Sequence, residues 1–294
     1  MPSKTPKPRA SALARAAFAL AFAFLPLALG GCPSGAGRPL GPSEAPAEDA
    51  RALELATGLY ERGESLKTFA LRGEANYARG RDRRFHRFEL IAAKPDAFLF
   101  TAFDPLGRPA FKLLSRDGEI RALDYLEAVF HVGDARDFSL NDLLPTPFGP
   151  EAFLALLAGA LPEKPVRAEA LEAFPAREAT VSLNYWGPYD SVPYLVQVQG
   201  GPLWNMAEKP RARAFSKGSR YNPEFVARFG GFRDREWESL NESLPFPDSV
   251  TAQWKEKGEA RELVVRYQEI RLGFPLPEGL LELAPPEGYP VERL

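Results

Sequence analysis

The sequence is poor in the residues that build most metal and redox sites. Its 294 residues include one cysteine and two histidines. A single cysteine excludes an intramolecular disulfide and any multi-cysteine zinc site. Two histidines, His86 and His131, argue against a multi-histidine metal centre. We therefore expect neither a metal nor a cofactor.

Familiar catalytic motifs are also missing. The sequence has no Gly-x-Ser-x-Gly elbow, phosphate-binding loop, zinc-protease helix or Gly-x-Gly-x-x-Gly after a predicted strand. His131 lies near Asp134 and Asp137, which could support acid–base chemistry, but a hairpin end with solvated charges explains the cluster more simply. We expect no catalytic residues and no enzymatic activity.

The chain has no large excess of one charge sign, since its formal net charge is −2. Residues 1–31 hold four basic residues and no acid, so the remaining chain carries −6 (−2 minus +4). A weakly acidic chain lacks bulk attraction for nucleic acid, and we expect no nucleic-acid partner. The basic run at 81–87 is typical of a solvated strand.

The N-terminal apolar run, Ala16 to Leu29, is short for a membrane span. A spanning helix needs about 20 apolar residues, whereas the core of a signal peptide needs roughly 7–15. A basic segment precedes the run and small residues follow it. The pattern predicts a signal peptide over residues 1–31.

The only cysteine follows this run in the sequence Leu29-Gly30-Gly31-Cys32. An apolar residue and two small residues before the cysteine resemble the lipobox of bacterial lipoproteins. The resemblance implies lipidation of Cys32, with a diacylglycerol on its thiol and a third chain, such as palmitate, on its amine. Each buried methylene contributes about 0.8 kcal/mol, so three chains anchor a protein essentially permanently. The alternative is a secreted protein with a stray cysteine.

The residues after Cys32 suggest a location and a tether. Residue 33 is Pro rather than Asp, which by resemblance to Gram-negative sorting rules favours the periplasmic face of the outer membrane. Residues 33–48 are mostly Pro, Gly, Ser and Ala and bury too little surface to order themselves. We predict a lipidated cysteine and flexible tether over 32–48, and a single domain over 49–294.

The body of the chain alternates between helical and strand patterns. Helical periodicity predicts helices at 47–64, ending near Gly63, at 140–144 and at 149–159; the last is apolar on most sides and should be buried. Strand patterns run from 66 to 132 and return at 179–185, 194–199, 225–232, 249–254 and 263–272. The segment 97–103 is a nearly continuous apolar run, so we expect both faces of that strand to be covered. A change of apolar parity in the last strand predicts a β-bulge between Tyr267 and Ile270.

These elements predict a mainly β (α+β) fold: a curved antiparallel sheet, or unclosed half-barrel, with helices covering its concave apolar face. The 21 Phe, nine Tyr and four Trp residues either fill its core or line an apolar cavity. Such a cavity would bind an acyl chain, because only apolar contact and release of water are needed. Composition leaves both possibilities open.

Several short motifs occur in a fixed order after the lipobox and the first helix. They are Leu71-Arg72-Gly73, Lys94-Pro95-Asp96, Asp104-Pro105-Leu106-Gly107, Phe111-Lys112-Leu113, Asp142-Leu143-Leu144-Pro145, Leu157-Ala158-Gly159-Ala160-Leu161-Pro162 and Phe274-Pro275-Leu276-Pro277. This order resembles the outer-membrane lipoprotein receptors, the LolB-like family, which are related to the periplasmic lipoprotein carrier. The resemblance covers 66–165 well and 246–285 loosely, while 186–245 departs from it.

The resemblance implies that the half-barrel receives the acyl chains of lipoproteins from the periplasmic lipoprotein carrier and passes them to the outer membrane without nucleotide. It implies a membrane-insertion loop of Leu106 with Pro105 and Gly107, the alternative being that Leu106 folds back onto the core. The expected cavity-lining residues are Phe88, Leu90, Phe98, Phe100, Phe111, Leu113, Phe153 and Leu157. The alternative function is a structural or assembly envelope lipoprotein that docks a partner without carrying lipid. It predicts a filled core and an exposed apolar patch.

Overall fold

The computed structural model describes residues 45–135, 149–171, 180–190, 193–199, 211–219, 222–239, 242–256 and 258–293. The predicted signal peptide, the predicted lipidation site Cys32 and the predicted helix at 140–144 lie outside these residues. The described residues belong to one compact unit of the chain.

The described fold contains two helices and sixteen strands. The helices are α1 (Ala45–Ser65) and α2 (Pro150–Leu157). The strands are β1 (Thr68–Arg79), β2 (Asp82–Ala93), β3 (Ala97–Phe103), β4 (Pro109–Arg116), β5 (Glu119–Asp124), β6 (Val129–Asp134), β7 (Arg167–Ala170), β8 (Thr180–Trp186), β9 (Tyr194–Gln199), β10 (Arg211–Ser219), β11 (Asn222–Gly230), β12 (Arg233–Trp237), β13 (Glu242–Phe246), β14 (Ser249–Glu256), β15 (Glu259–Leu272) and β16 (Val291–Arg293).

The strands form one open sheet in the order β16-β6-β5-β4-β3-β2-β1-β15-β14-β11-β10-β9-β8-β7. Neighbours along this order are antiparallel, except that β16 runs parallel to β6. The hairpin of β12 and β13 attaches to the end of β15. Within the described residues β16 and β7 do not pair with each other, so the sheet is an unclosed half-barrel, and the predicted fold class is confirmed.

Strand β3 shows how the sheet buries both of its faces. Phe98 and Phe100 belong to the main apolar cluster, which also takes in α1 and α2. Leu99 points to the opposite face and packs on a second cluster that contains Leu283 and Tyr289. We call the face with the main cluster the concave face and the other the outer face. The apolar run of β3 is explained because each side of the strand is covered.

The predicted bulge in β15 is confirmed and explains a glycine in β1. Arg72 pairs with Glu269 while the next residue, Gly73, pairs with Tyr267, so Gln268 is the extra residue. A Cβ on Gly73 would lie 2.1 Å from the carbonyl oxygen of Arg266. The bulge therefore brings the two backbones so close that a side chain at position 73 would collide with β15.

Helix α1 differs from its prediction at both ends. It begins at Ala45, inside the segment that composition assigned to the tether, and it continues past Gly63 to Ser65. Gly63 is instead a close-contact position, since a Cβ there would lie 2.4 Å from the Cβ of Ala160. Its neighbour Arg62 is buried and donates a hydrogen bond from Nη2 to the carbonyl of Gly159, 2.6 Å away. These contacts join α1 to the segment that follows α2.

The region 186–245, which departs from the family motifs, is largely part of the same sheet. Strand β10, which begins at Arg211, was not predicted; it lies between β9 and β11. The hairpin of β12 and β13 was also not predicted. Strand β12 begins with four consecutive charged residues, and only its last residue, Trp237, is buried. Its sequence therefore lacks the apolar alternation that would predict a strand.

Candidate functional site

The residues predicted to line a cavity come together on the concave face. Backbone pairing places Leu90, Phe100 and Leu113 in one row across β2, β3 and β4. The parallel row contains Phe88 and Phe111, joined by Ala102. All six predicted strand residues, including Phe98, share this face, and all are buried except the half-buried Phe111.

Helix α2 lies over this face and supplies the remaining two predicted residues, Phe153 and Leu157. Both are buried, and the ring centroids of Phe153 and Phe98 are 6.3 Å apart. Gly149 precedes the helix and Pro150 starts it, which suits the proline because the first turn needs no partner for its N–H. Every residue from Phe153 to Leu157 is buried, as expected for a helix that is apolar on most sides.

The predicted lining omitted several aromatic residues of the main cluster, among them Tyr267 and Phe246. Their ring centroids are 5.9 Å apart, and Tyr267 also lies edge-on to Phe88 at 6.5 Å. The sequence of β15 did indicate Tyr267, because it lies two residues after Val265 and therefore on the same face of the strand. Phe246 lies in the unpredicted strand β13. The apolar face therefore extends under α2 beyond the predicted set.

The loop that carries Leu106 is a defined turn between β3 and β4. The carboxylate of Asp104 accepts hydrogen bonds from the backbone N–H groups of Leu106 and Arg108, each at 2.9 Å. These bonds, together with the Arg108 guanidinium, hold the pKa of Asp104 below its usual range. Gly107 has φ 81°, in the left-handed region that glycine adopts readily. The turn presents Leu106 with 77% of its surface exposed, so the residue does not fold back onto the core.

This loop lies at the edge of the sheet that is formed by strand ends and turns, which we call the hairpin rim. Because neighbouring strands are antiparallel, the turns after β1, β3, β5, β8 and β14 all lie at this edge. The start of β7 and the start of β16 also lie here, because Arg167 pairs with Trp186 and Val291 pairs with Phe130.

The hairpin rim collects exposed apolar side chains. In the part of the chain that the structure describes, the large hydrophobic side chains with more than half of their surface exposed all lie at or near this rim. They are Phe85, Leu106, Leu126, Val166, Tyr189 and Val291. Single exposed hydrophobic residues are ordinary, but their confinement to one edge is a property of an interaction surface.

A polar cluster interrupts the apolar face near the hairpin rim. The Lys217 ammonium donates to Asp190 at 3.0 Å and is 3.1 Å from the Tyr194 hydroxyl, which is itself 3.0 Å from Glu163. Burial, and then a hydrogen bond with Asp190, raises the pKa of Glu163. Burial raises the pKa of Tyr194 to about 12. Burial opposes the charge of Lys217, but its hydrogen bonds outweigh that effect and raise its pKa. The cluster thus fixes the segment after α2 to β9 and β10.

The two histidines lie apart on the sheet. Partial desolvation, and then the nearby Arg84, lowers the pKa of His86, although its side chain is exposed. His131 Nδ1 is 3.7 Å from a carboxylate oxygen of Glu292. Asp137 lies outside the described residues. Within the described residues, no three His, Cys, Asp or Glu side chains are grouped as metal ligands. None of the described helices has the length and apolarity needed to cross a bilayer.

The open sheet with helices on its concave face is shared with solved structures of low sequence identity. A domain from Vibrio parahaemolyticus, assigned to outer-membrane lipoprotein sorting, matches with a TM-score of 0.51 and 14% identity, over 79% of this chain and 96% of that chain. A DUF1329 family protein from Desulfovibrio piger matches with a TM-score of 0.51 and 10% identity, over 80% and 97%. A LolA superfamily protein from Nitrosomonas europaea gives a TM-score of 0.49 and 15% identity, over 78% and 97%.

At these identities the two matches above 0.5 show a shared fold. No protein-family model matches the sequence, and no curated protein matches it significantly.

Proposed function

We propose that this chain is an envelope lipoprotein that binds the acyl chains of other lipoproteins and takes part in their localisation to the outer membrane. In this proposal Cys32 is lipidated and holds the domain at the periplasmic face of the outer membrane. The periplasmic lipoprotein carrier delivers the cargo. The chain acts without catalysis, since transfer from a weaker to a stronger apolar site needs no chemical step.

The observation that carries the proposal is the continuous apolar face under α2. It combines large side chains from β2, β3 and β4 with Tyr267 of β15 and with Phe153 of the helix. An acyl chain would lie between α2 and the sheet, replacing helix–sheet contacts with lipid contacts of similar apolar character. The exposed Leu106 at the hairpin rim would enter the bilayer and guide the released chains.

A test of the proposal measures binding of a fluorescent triacylated peptide to the full chain with Cys32→Ser. We expect saturable binding that unlabelled triacylated peptide displaces. In cells, Leu106→Glu should leave lipoproteins mislocalised, whereas Leu106→Phe, which keeps an apolar tip, should restore localisation. Absence of probe binding, together with normal localisation in the Leu106→Glu strain, would refute the proposal.

The close packing of the concave face supports a second candidate, an assembly lipoprotein that docks a partner. Phe88 and Phe100 stack with ring centroids 5.9 Å apart, and Leu90 and Leu113 have no exposed surface. A filled core with an exposed apolar rim fits a docking protein. This candidate predicts that the triacylated probe does not bind, and that substitutions at the hairpin rim release a partner protein from the membrane fraction.

A further inference from the structure

The beginning of β2 forms a second exposed element beside the Leu106 turn. Residues 81–87 are all exposed. Because successive side chains in a strand alternate, Arg83, Phe85 and Arg87 lie on the same outer face. Phe85 has 54% of its surface exposed, which is unusual for a phenylalanine in a sheet.

This element is close to the Leu106 turn. Strand β2 continues beyond the end of β3, since the last residue of β3, Phe103, pairs with Arg87. Residues 82–86 therefore run alongside the turn that follows β3. Arg87 Nη2 donates a hydrogen bond to the carbonyl of Pro105, 3.3 Å away. An exposed aromatic ring and an exposed leucine thus share one corner of the hairpin rim.

The corner is locally basic although the chain is acidic overall. Arg84 is paired with Asp82 at 3.3 Å, and Arg108 is paired with Asp104 at 2.8 Å. Arg81, Arg83 and Arg87 form no ion pair among the described residues and are exposed. An exposed guanidinium offers several N–H donors in a plane that matches the oxygens of a phosphate group.

We infer that this corner, consisting of Arg81, Arg83, Phe85, Arg87 and Leu106, binds the anionic phospholipid headgroups of a bilayer. Phe85 and Leu106 enter the interface, and the arginines contact lipid phosphates. Aromatic rings favour this depth of a bilayer, and clustered basic residues are attracted to an anionic leaflet. The inference deepens the proposed function, on which it rests for the orientation of the hairpin rim toward the membrane.

The test uses the full chain with Cys32→Ser and co-sedimentation with two kinds of vesicle. One kind is phosphatidylcholine alone and the other contains an equal share of phosphatidylglycerol. We expect binding to the anionic vesicles to be at least about tenfold tighter and to weaken as salt is added. Arg83→Glu should reduce anionic binding about tenfold. Arg116→Glu, an equal charge change at the opposite edge of the sheet, should leave it unchanged.

Two variants of Phe85 test whether its ring enters the bilayer interface. Phe85→Ser should weaken binding to both kinds of vesicle, and Phe85→Trp should restore it, because tryptophan also favours the interface. Residues 1–31 are the same in every variant, so differences between variants report on the corner alone. Equal binding to the two kinds of vesicle, or equal losses in Arg83→Glu and Arg116→Glu, would overturn the inference.

The triacylated peptide probe, measured without vesicles, distinguishes this inference from the proposed function. Retained probe binding in Arg83→Glu, together with lost vesicle binding, supports the inference and leaves the proposed function intact. A Cys32→Ser chain that does not bind the probe, but binds anionic vesicles more tightly than its Arg83→Glu variant, supports the inference and contradicts the acyl-chain binding of the proposed function. A chain that binds the probe but shows no vesicle preference refutes the inference alone.

Discussion

The hydroxyl of Tyr267 on β15 donates a hydrogen bond to the main-chain carbonyl of Leu157, the last residue of α2, over 2.9 Å. Burial raises the pKa of Tyr267 well above its usual value, so the group stays a neutral donor at any physiological pH. The bond lies within the apolar cluster, where an unpaired carbonyl is costly. It therefore fixes the end of α2 against the sheet.

Replacing Tyr267 with phenylalanine should both destabilise the protein and free the helix. We expect Tyr267→Phe to lower the free energy of unfolding by about 1–2 kcal/mol, because the Leu157 carbonyl loses its partner. If α2 must lift to admit an acyl chain, the same variant should bind the triacylated probe faster. Urea unfolding measures the first effect and stopped-flow fluorescence the second. An unchanged association rate would argue that α2 does not move during binding.

Substitutions of two buried leucines on neighbouring strands should distinguish an effect on stability from an effect on lipid binding. Leu113 on β4 faces the main cluster, whereas Leu123 on β5 faces the second cluster on the outer side. Either leucine replaced by alanine should lower the free energy of unfolding by about 2–5 kcal/mol. Only Leu113→Ala should change the affinity for the triacylated probe. Equal effects of both variants on probe affinity would show that the chain does not bind on the concave face.

The same substitution at two glycines should have opposite effects. Gly73→Ala should cost about 2 kcal/mol or more, because the new methyl group would collide with the backbone of Arg266. Gly58→Ala should stabilise the protein by roughly 0.5–1 kcal/mol, because Gly58 lies within α1 with no atom within 4 Å of the added Cβ. Thermal unfolding of the two variants checks the pair. A harmless Gly73→Ala would mean that the bulge can move.

The raised pKa of Glu163 predicts a pH-dependent stability. Its folded pKa lies above the unfolded value of 4.5, so the protonated form stabilises the fold. That contribution is fully present below pH 4.5 and is lost as the pH rises through the folded pKa. Glu163→Gln carries a neutral side chain at every pH. We expect the stability of wild type relative to Glu163→Gln to fall as the pH increases, measured by urea unfolding at several pH values.

A constant difference between wild type and Glu163→Gln over this range would contradict the assignment. The matched control is Glu259→Gln, in an exposed residue whose pKa is lowered by its hydrogen bond with Arg79. The stability of wild type relative to Glu259→Gln should change with pH in the opposite direction. The Glu259 carboxylate stabilises the fold above pH 4.5, and that contribution is lost as the pH falls.

The strands between residues 66 and 132 were predictable because their apolar residues either alternate or, in β3, form one continuous run. Phe98 and Phe100 could be assigned to one face from spacing alone, and the parity change in β15 located its bulge. Strand β10 could not be predicted, because arginines alternate with small residues at its start, as in a loop. Leu106 could be found only by resemblance, since its exposure results from a turn held by Asp104 and not from any pattern.

The position of Phe85 relative to the Leu106 turn could not be predicted from the sequence pattern. Its basic neighbours predicted a solvated strand, and only the length of β2 relative to β3 shows that Phe85 lies beside the Leu106 turn. The polar cluster of Lys217, Asp190 and Glu163 could not be predicted for a similar reason. These three residues are far apart in sequence and meet only because β8, β9 and β10 are neighbours in the sheet.

The three-residue strand β16 covers the edge of the sheet that β6 would otherwise expose. Without it, β6 would present a row of free backbone donors and acceptors to any passing strand. β16 covers that row, and its exposed residues Glu292 and Arg293 place charges along the new edge. A chain shortened before Val291 should therefore remain folded but become prone to fibril-like growth through β6, which sedimentation and thioflavin fluorescence of the shortened chain would detect.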